Sequence, residues 1–162
     1  MRLSDGVEWG AHCAVLLSFL PPDKALPTAR LAEFNGVPGA YLAKHLQALS
    51  RAGIVESVTG PGGGYRLARP ASDISMLEVV EAIDGTEPAF RCTEIRRRGP
   101  AAVPAREYTH PCGIHAVMDR ADAAWRTELA AVSIAELAGG LGATAPPRSL
   151  EKGMNWFQEV LA

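Results

Sequence analysis

The chain has 162 residues, of which 48% are apolar, and its 16 Lys and Arg against 18 Asp and Glu leave a formal net charge of −2. This balance is typical of a folded domain with a substantial core and excludes a disordered chain, while no apolar run reaches the roughly 20 residues of a membrane-spanning helix and no signal-peptide layout opens the chain. Three cysteines, at positions 13, 92 and 112, are too few for a disulfide-rich secreted fold, so we expect a cytoplasmic protein with no membrane partner.

The first fifty residues predict three helices. A first apolar helix is expected over residues 5–20, where two prolines end it. A second, short helix covers residues 29–34 with Thr28 as its N-cap, and a third covers residues 38–51. Gly36 suits the left-handed end of the second helix. Two short helices joined by such a turn have the form of a helix-turn-helix.

After residue 53 the pattern changes to short β-branched segments. Residues 54–59 and 65–67, with five Gly and Pro residues between them, predict a two-stranded hairpin with a flexible tip. A capping box, Ser75-x-x-Glu78, then opens a helix to about Ile83. Three helices followed by a glycine-tipped hairpin predict a winged helix-turn-helix.

The second half of the chain predicts a loop, a long helix and a tail. Residues 86–111 show no periodicity, whereas a long helix is expected over residues 113–131. Its near-heptad apolar stripe suits pairing with another helix: Ile114, Met118, Ala121, Trp125 and Val132. The predicted fold is mainly α with a small β-hairpin, divided into a winged-helix domain at 1–85, a loop at 86–112, a helix region at 113–138 that suits dimerisation, and a C-terminal linker and amphipathic helix at 139–162.

Positive charge is concentrated in the predicted winged helix. Between residues 24 and 70 there are six Lys and Arg but only two Glu, so this segment carries +4 and the rest of the chain −6. A local basic patch on an acidic protein is the electrostatic pattern of a small DNA-binding module. An ordinary solvated face would give the same count, so charge alone does not decide between them.

Two stretches of the sequence carry a family resemblance. The third helix and its continuation read Pro38-x-x-Tyr41-Leu42-x-x-x-Leu46-x-x-Leu49-x-x-Ala52-Gly53-Ile54-Val55, and the hairpin tip reads Gly60-Pro61-Gly62-Gly63-Gly64-Tyr65-Arg66-Leu67. Together with the capped helix after them, they resemble the IscR/NsrR-type winged-helix iron–sulfur transcriptional regulators of bacteria, and most of all the RsrR-type redox sensors. The helix from Gly113 resembles that family's dimerisation helix. The resemblance implies a homodimer that binds double-stranded operator DNA.

The third helix supplies the main candidates for DNA contact. A helix of this length fits the major groove, where Tyr41 and Lys44 would face base edges and Arg51 would lie further along. Thr28, at the start of the second helix, lies beside free N–H groups that suit a phosphate oxygen.

The hairpin would form the wing of this module. Gly62 and Gly63 would let its backbone approach the sugar–phosphate chain, with Arg66 nearby. Thr59 stands where many members of the resembling family carry an arginine aimed at the minor groove. We therefore expect weaker or differently specified wing contacts.

The cysteines suggest a metal centre with mixed ligands. Members of the family that carry a cluster usually supply three cysteines from the loop before the dimerisation helix, whereas this chain has only Cys92 and Cys112 there. A cluster generally takes four protein ligands. Glu8 and His12 share one face of the first helix, which in the family approaches the loop of the other subunit. The resemblance thus implies a [2Fe-2S] cluster held by Cys92 and Cys112 of one chain with Glu8 and His12 of its partner.

Several alternatives remain open at this centre. Glu8 and His12 could form only a hydrogen-bonded pair, and His115 could replace one of them as a ligand. Trp9 adjoins the ligands and is a candidate redox relay, or simply an interface aromatic. Cys92 and Cys112 could instead form a disulfide under oxidising conditions.

The expected function is therefore a redox-sensing, homodimeric transcriptional regulator whose operator binding is controlled by the cluster. The alternative is a cluster-free regulator switched by a Cys92–Cys112 disulfide. A metal-dependent hydrolase would need an open metal position, a general base and a pocket, and the sequence offers no such arrangement. We expect no catalytic residues and no small-molecule substrate.

Overall fold

A computed structural model describes residues 3–161; the predicted domain limits at residues 1 and 162 lie outside the described residues. The elements follow in chain order: α1 (Asp5–Leu17), α2 (Thr28–Asn35), α3 (Gly39–Arg51), β1 (Val55–Val58), β2 (Gly64–Leu67), α4 (Met76–Asp84), α5 (Gly113–Ala131), α6 (Ile134–Thr144) and α7 (Pro147–Leu161). Single-turn 3-10 helices occur at Ala71–Asp73, Ile95–Arg97 and Ala105–Glu107. The mainly helical winged helix-turn-helix with one hairpin is confirmed. No helix in the described range is long and apolar enough to cross a membrane.

The core lies where α1 packs against α3, α4 and α6. Leu42, Leu46 and Leu49 of α3 are completely buried. They recur at spacings of four and three residues, so one face of the helix is apolar. Fully burying a leucine contributes about 1.5–3 kcal/mol. This face therefore fixes the orientation of α3 and leaves its opposite face in solvent.

The first helix is shorter than the predicted span to Leu20. It ends at Leu17, and the N–H groups of Phe19 and Leu20 donate to the carbonyls of Leu16 and Leu17 at 3.2 Å. This tighter spacing turns the chain before Pro21. The cause is the proline, which disfavours helical backbone at the residue that precedes it.

The sequence predicted Thr28 as the N-cap of the second helix, and this prediction is wrong. Pro27 takes that position in extended backbone, and Thr28 is the first helical residue. The Pro27 carbonyl accepts the N–H of Arg30 at 2.9 Å. Gly36 ends the helix with φ +65°, the left-handed conformation expected from the sequence.

The wing is joined to the body by a third backbone segment. In the hairpin, Val55 pairs with Leu67. Leu26, just before α2, exchanges two hydrogen bonds with Tyr65, at 2.9 and 2.8 Å. Gly64 has φ +155°, and a Cβ there would lie 2.2 Å from the Leu26 carbonyl. Glycine is therefore required where the wing crosses the segment that precedes α2.

Two capping boxes join the second half of the chain to the first. Ser75 and Glu78 close the start of α4, and Ser133 and Glu136 close the start of α6 in the same way. The two starts lie side by side, since the N–H of Met76 donates to the Val132 carbonyl at 2.8 Å. Both boxes were visible in the sequence.

The long helix α5 is tied to α4 by one arginine. Arg126 binds the Glu81 carboxylate of α4, the Asp122 carboxylate at 2.7 Å and the Thr86 carbonyl at 2.8 Å. Two of these contacts join α5 to residues that precede the loop at 86–112 or begin it. They hold α5 against the body without burying its apolar stripe.

The predicted linker at the start of the C-terminal segment is mostly wrong. Residues 139–144 complete α6, and α7 begins at Pro147, so only two residues separate the helices. Glycines at 139, 140 and 142 lower helix propensity. Tertiary contacts outweigh that cost, because α6 packs against α1 and the turn at Ala71–Asp73. The amphipathic last helix itself is present.

Candidate DNA-binding face and cysteine centre

The solvent-facing side of α3 carries the predicted base-reading residues. Tyr41 is 59% exposed, and the Lys44 Nζ lies 5.4 Å from its ring centroid. Lys44 and Arg51 are both exposed, and within residues 3–161 neither forms an ion pair with a carboxylate. The helix thus presents an aromatic ring and two uncommitted cations on the face opposite its buried leucines.

The start of α2 borders this face. Thr28 is half-buried, and its helix begins after a proline, so the first N–H groups point outward. Lys24 lies exposed just before it. Arg30 is paired with Glu33 at 2.7 Å on the surface, and its hydrogen bond lowers the pKa of the Glu33 carboxyl. The helix start and Lys24 together form a positive region next to α3.

The wing glycines have different roles. A Cβ on Gly62 would meet no atom within 4 Å, so this residue is open to an approaching backbone. A Cβ on Gly63 would lie 2.4 Å from the Val58 carbonyl oxygen, and its N–H donates to Gly60 at 2.9 Å. The wing's own tight turn therefore accounts for Gly63.

Arg66 is engaged within the protein. Its Nε lies 2.6 Å from the Glu56 carboxylate, and one terminal nitrogen donates to the Pro22 carbonyl at 2.8 Å. These bonds brace the hairpin against the loop after α1. Arg66 must break them before it can contact DNA, which makes it a weaker candidate than Lys44 or Arg51.

Glu8 and His12 lie on the exposed side of α1. Both side chains are exposed in the single chain, on a helix whose other residues are mostly apolar. Within the described residues, no hydrogen bond or ion pair links them to each other, so the simple paired arrangement is not formed here. Both side chains are available to a second molecule.

Trp9, next to Glu8 on α1, contacts the third helix, α3. Its ring lies 5.9 Å from the His45 ring of α3, edge to face at 82°. A Cβ on Gly6 would fall 2.2 Å from that imidazole, so α1 and α3 approach closely. Sequence reasoning missed His45 because it lies between exposed and buried positions of α3.

Cys112 is placed to be a thiolate. It precedes α5, where the N–H groups of His115 and Ile114 hydrogen-bond to its sulfur and lower the pKa of the thiol, and Arg96 adds to this effect. Cys92 lies in the preceding loop, and its Sγ accepts the Glu94 N–H at 3.4 Å. Both sulfurs are partly exposed and neither is in a disulfide. The backbone N–H groups near Cys112 stabilise negative charge on its sulfur.

Cys13 has the opposite environment. It is fully buried in α1, and burial raises the pKa of its thiol to about 12. Asn35 donates weakly to its sulfur at 3.6 Å. Cys13 therefore packs as a small apolar side chain.

A polar network shapes the loop between the two outer cysteines. Glu94 adopts φ +50°, a strained conformation for a non-glycine residue, and its carboxylate binds Arg96 through two nitrogens at 2.5 and 2.9 Å. The Tyr108 hydroxyl donates to the Arg96 carbonyl and accepts the Val103 N–H at 3.2 Å. Sequence analysis found no periodicity here, and these contacts depend on the fold of the loop.

His115 lies one turn into α5. Its Nε2 is 3.3 Å from the Asp119 carboxylate, whereas its Nδ1 is buried and has no hydrogen-bond partner in the described structure. One nitrogen is thus committed to Asp119. The other is a free donor or acceptor beside Cys112.

The described part of one chain does not assemble the predicted ligand set. No group of three His, Cys, Asp or Glu side chains within it could hold a metal ion. Cys112 lies at the start of α5 and Cys92 in the loop before it, whereas Glu8 and His12 lie on α1. A centre with all four ligands therefore requires a second chain.

Comparisons with known proteins agree with the fold. The sequence profile of the Rrf2 family, described as an iron-dependent transcriptional regulator, matches residues 3–140. The chain is 43% identical over 92 residues to the HTH-type transcriptional regulator IscR of Vibrio atlanticus, covering 57% of this chain and 53% of that protein. It is 42% identical to IscR of Klebsiella pneumoniae, covering 57% and 56%. The matches thus span about half the length of these relatives.

Solved structures show the same architecture. CymR, the global cysteine regulator of B. subtilis, aligns with a TM-score of 0.69 at 18% identity over 86% of this chain and 97% of that one. IscR of T. potens aligns with a TM-score of 0.67 at 19% identity over 90% and 93%. These identities establish the fold alone. Because the family profile covers most of the chain, this protein belongs to the Rrf2 family of transcriptional regulators, which is not a family of enzymes.

Proposed function

We propose that the chain is a homodimeric, redox-sensing regulator that binds operator DNA through α3 and the wing. The observation that carries the proposal is the outer face of α3, where exposed Tyr41, Lys44 and Arg51 stand opposite three buried leucines. A helix held rigidly from one side, with a ring and two cations on the other, suits the major groove. Lys24 and the start of α2 supply adjacent phosphate contacts.

The apolar stripe of α5 supports dimerisation. Ile114 and Met118 of the stripe are 67% and 38% exposed, and the neighbouring Val117 is 53% exposed. No residue of this helix is buried. Contiguous exposed apolar side chains at helical spacing favour pairing with another helix. The partner that best matches the stripe is the same stripe on a second copy of the chain. Rrf2-type relatives regulate transcription, and a two-fold symmetric dimer matches an operator with two-fold symmetry.

The residues present fit a [2Fe-2S] cluster shared between two copies. Backbone N–H groups stabilise negative charge on the Cys112 sulfur, and the Cys92 sulfur accepts one backbone N–H. Glu8 and His12 are exposed one helical turn apart. His115, with one buried uncommitted nitrogen, is the alternative imidazole. A bound cluster of this kind would supply a one-electron carrier, and His in place of Cys raises its reduction potential.

The chain's own residues convert such a change into altered DNA binding. Ligands from two copies tie α1 of one chain to the loop of the other. A change of charge at that junction shifts the relative orientation of the copies, and the spacing of their α3 helices must match half-sites about one helical turn apart. Trp9, between Glu8 and His45, supports a relay from the junction to α3.

DNA binding is tested first. The purified protein selects duplexes from a random-sequence library, and the selected duplex is used in fluorescence anisotropy with Lys44→Ala. Loss of this cation is expected to weaken binding about 5-fold or more and to lower the salt dependence, because a phosphate or base contact is removed. Arg120→Ala, on α5, makes the same change of charge and should bind as the parent does. Selection of no duplex would contradict the proposal.

The cofactor is tested separately. Protein purified without oxygen is expected to carry about two irons and two sulfides per chain and a visible band that bleaches on reduction. Cys92→Ser should lose the iron, and Glu8→Ala and His12→Ala should lose or destabilise it. Colourless, iron-free protein that forms a Cys92–Cys112 disulfide with oxidants would instead support the cluster-free regulator.

A further inference from the structure

Helix α7 lies beyond the part of the chain that the Rrf2 profile matches, which ends at residue 140. Its apolar residues Trp156, Phe157, Val160 and Leu161 pack against the core of the winged helix. The contacts centre on α2, because the rings of Phe34 and Trp156 lie 4.8 Å apart. The chain therefore carries an additional helix directly against the first helix of its helix-turn-helix.

The order of these contacts shows that α7 runs antiparallel to α2. Gly153 lies opposite Phe34, near the end of α2, with 3.8 Å between the Cβ position and the ring. Val160 and Leu161, near the end of α7, line a cavity of about 220 Å³ with residues at the start of α2 and the wing tip. The remaining lining residues are Lys24, Ala25, Leu26, Pro27, Arg30, Pro61 and Gly62.

This arrangement brings negative potential to a phosphate-binding region. The C-terminal end of a helix carries a partial negative charge and its N-terminal end a partial positive charge. The end of α7, with exposed Glu159 in its last turn, therefore lies beside the start of α2 and Lys24. The partial negative charge at the end of α7 therefore offsets the partial positive charge at the start of α2, where DNA phosphates would approach.

We propose that α7 is an autoinhibitory helix: docked along α2, it lowers the affinity of the winged helix for DNA phosphates, and its release raises that affinity. The proposal rests on DNA binding by α2, α3 and the wing, as proposed above, but requires neither the cluster nor its ligands. The proposed inhibition acts on phosphate contacts, which do not depend on base sequence. The affinity for a DNA duplex of any sequence therefore measures it.

The test compares full-length variants on a labelled mixed-sequence DNA duplex. Trp156→Ala combined with Phe157→Ala removes the docking rings and is expected to bind about 5-fold more tightly, with faster trypsin cleavage after Arg148 and Lys152 as evidence of release. Glu159→Gln keeps the docking residues and removes one charge, for an expected gain of about 2-fold. Met154→Ala alters a residue of the same helix that is 61% exposed and should match the parent.

The outcomes separate the two proposals. Unchanged or weaker binding by both the double variant and Glu159→Gln, with measurable binding by the parent, overturns autoinhibition alone. If the double variant does not fold, the affinity of Glu159→Gln decides in the same way. Absence of binding in every form contradicts the proposed DNA-binding function and autoinhibition with it.

Discussion

Every buried apolar side chain in the described structure lies between Val7 and Val80, apart from Ile134, whereas residues 86–131 bury none. The first region is closed around its own core. The second is held by polar contacts such as Glu94–Arg96 and Arg126–Glu81, and it leaves the apolar side of α5 in water. The winged helix is therefore closed within one chain, whereas the described residues of the chain leave the apolar side of α5 uncovered.

The largest expected effect is the loss of the closed core. Leu46→Ala should destabilise the protein by about 2–5 kcal/mol, because it removes a fully buried side chain and leaves a cavity. Tyr41→Ala, on the outer face of the same helix, should change stability by no more than about 0.5 kcal/mol. Urea unfolding measures both. Equal losses for the two variants would mean that α3 has no distinct inner and outer face.

The second region should fail at assembly rather than at folding. Ile114→Asp combined with Met118→Asp introduces two carboxylates into the apolar stripe and is expected to weaken the dimer about 100-fold, or more, in sedimentation experiments. Ala123→Asp places a carboxylate nine residues after Ile114, which is two and a half turns along α5 and therefore on the opposite side of the helix. This control variant should leave the dimer intact. Dissociation by the control alone would assign the interface to the other side of α5.

The junction between the regions should give an intermediate effect. Arg126→Ala removes contacts to Glu81, Asp122 and a backbone carbonyl from a largely buried position, and should cost about 1–2 kcal/mol in thermal unfolding. Arg91→Ala breaks an ion pair with Glu87 whose side chains are 83% and 78% exposed, and should cost less than about 0.5 kcal/mol. A negligible effect of Arg126→Ala would mean that α5 is held by its partner alone.

The sequence predicted the two regions unequally. Periodic leucines, Gly36 and the two capping boxes determine local structure through neighbouring residues, so the winged helix and α5 were correctly predicted. The extent of α6 was missed since its glycines disfavour a helix and only packing against α1 compensates.

The candidate site was less predictable still. Cys92 and Cys112 could be named from the family resemblance, but the backbone N–H groups that reach their sulfurs depend on the fold of a loop without periodicity. His45 and the internal bonds of Arg66 likewise arise from contacts between distant segments. Which ligands would meet in the proposed dimer depends on contacts between two chains, and the sequence indicates such contacts only through the apolar stripe of α5.

The smallest expected effect is a pH dependence that distinguishes the thiols of the two regions. N–H groups of His115 and Ile114 favour the Cys112 thiolate, so its pKa is lowered, whereas burial raises that of Cys13 to about 12. In iron-free, reduced protein, the pH at which alkylation of Cys112 slows should therefore lie below that of an ordinary thiol, because the thiolate persists until the pH falls through its lowered pKa. Cys13 should stay unmodified until the protein unfolds. Peptide mass spectrometry across a pH series measures both rates, and a Cys112 profile at or above that of a free thiol would remove the argument that the base of α5 prepares a thiolate ligand.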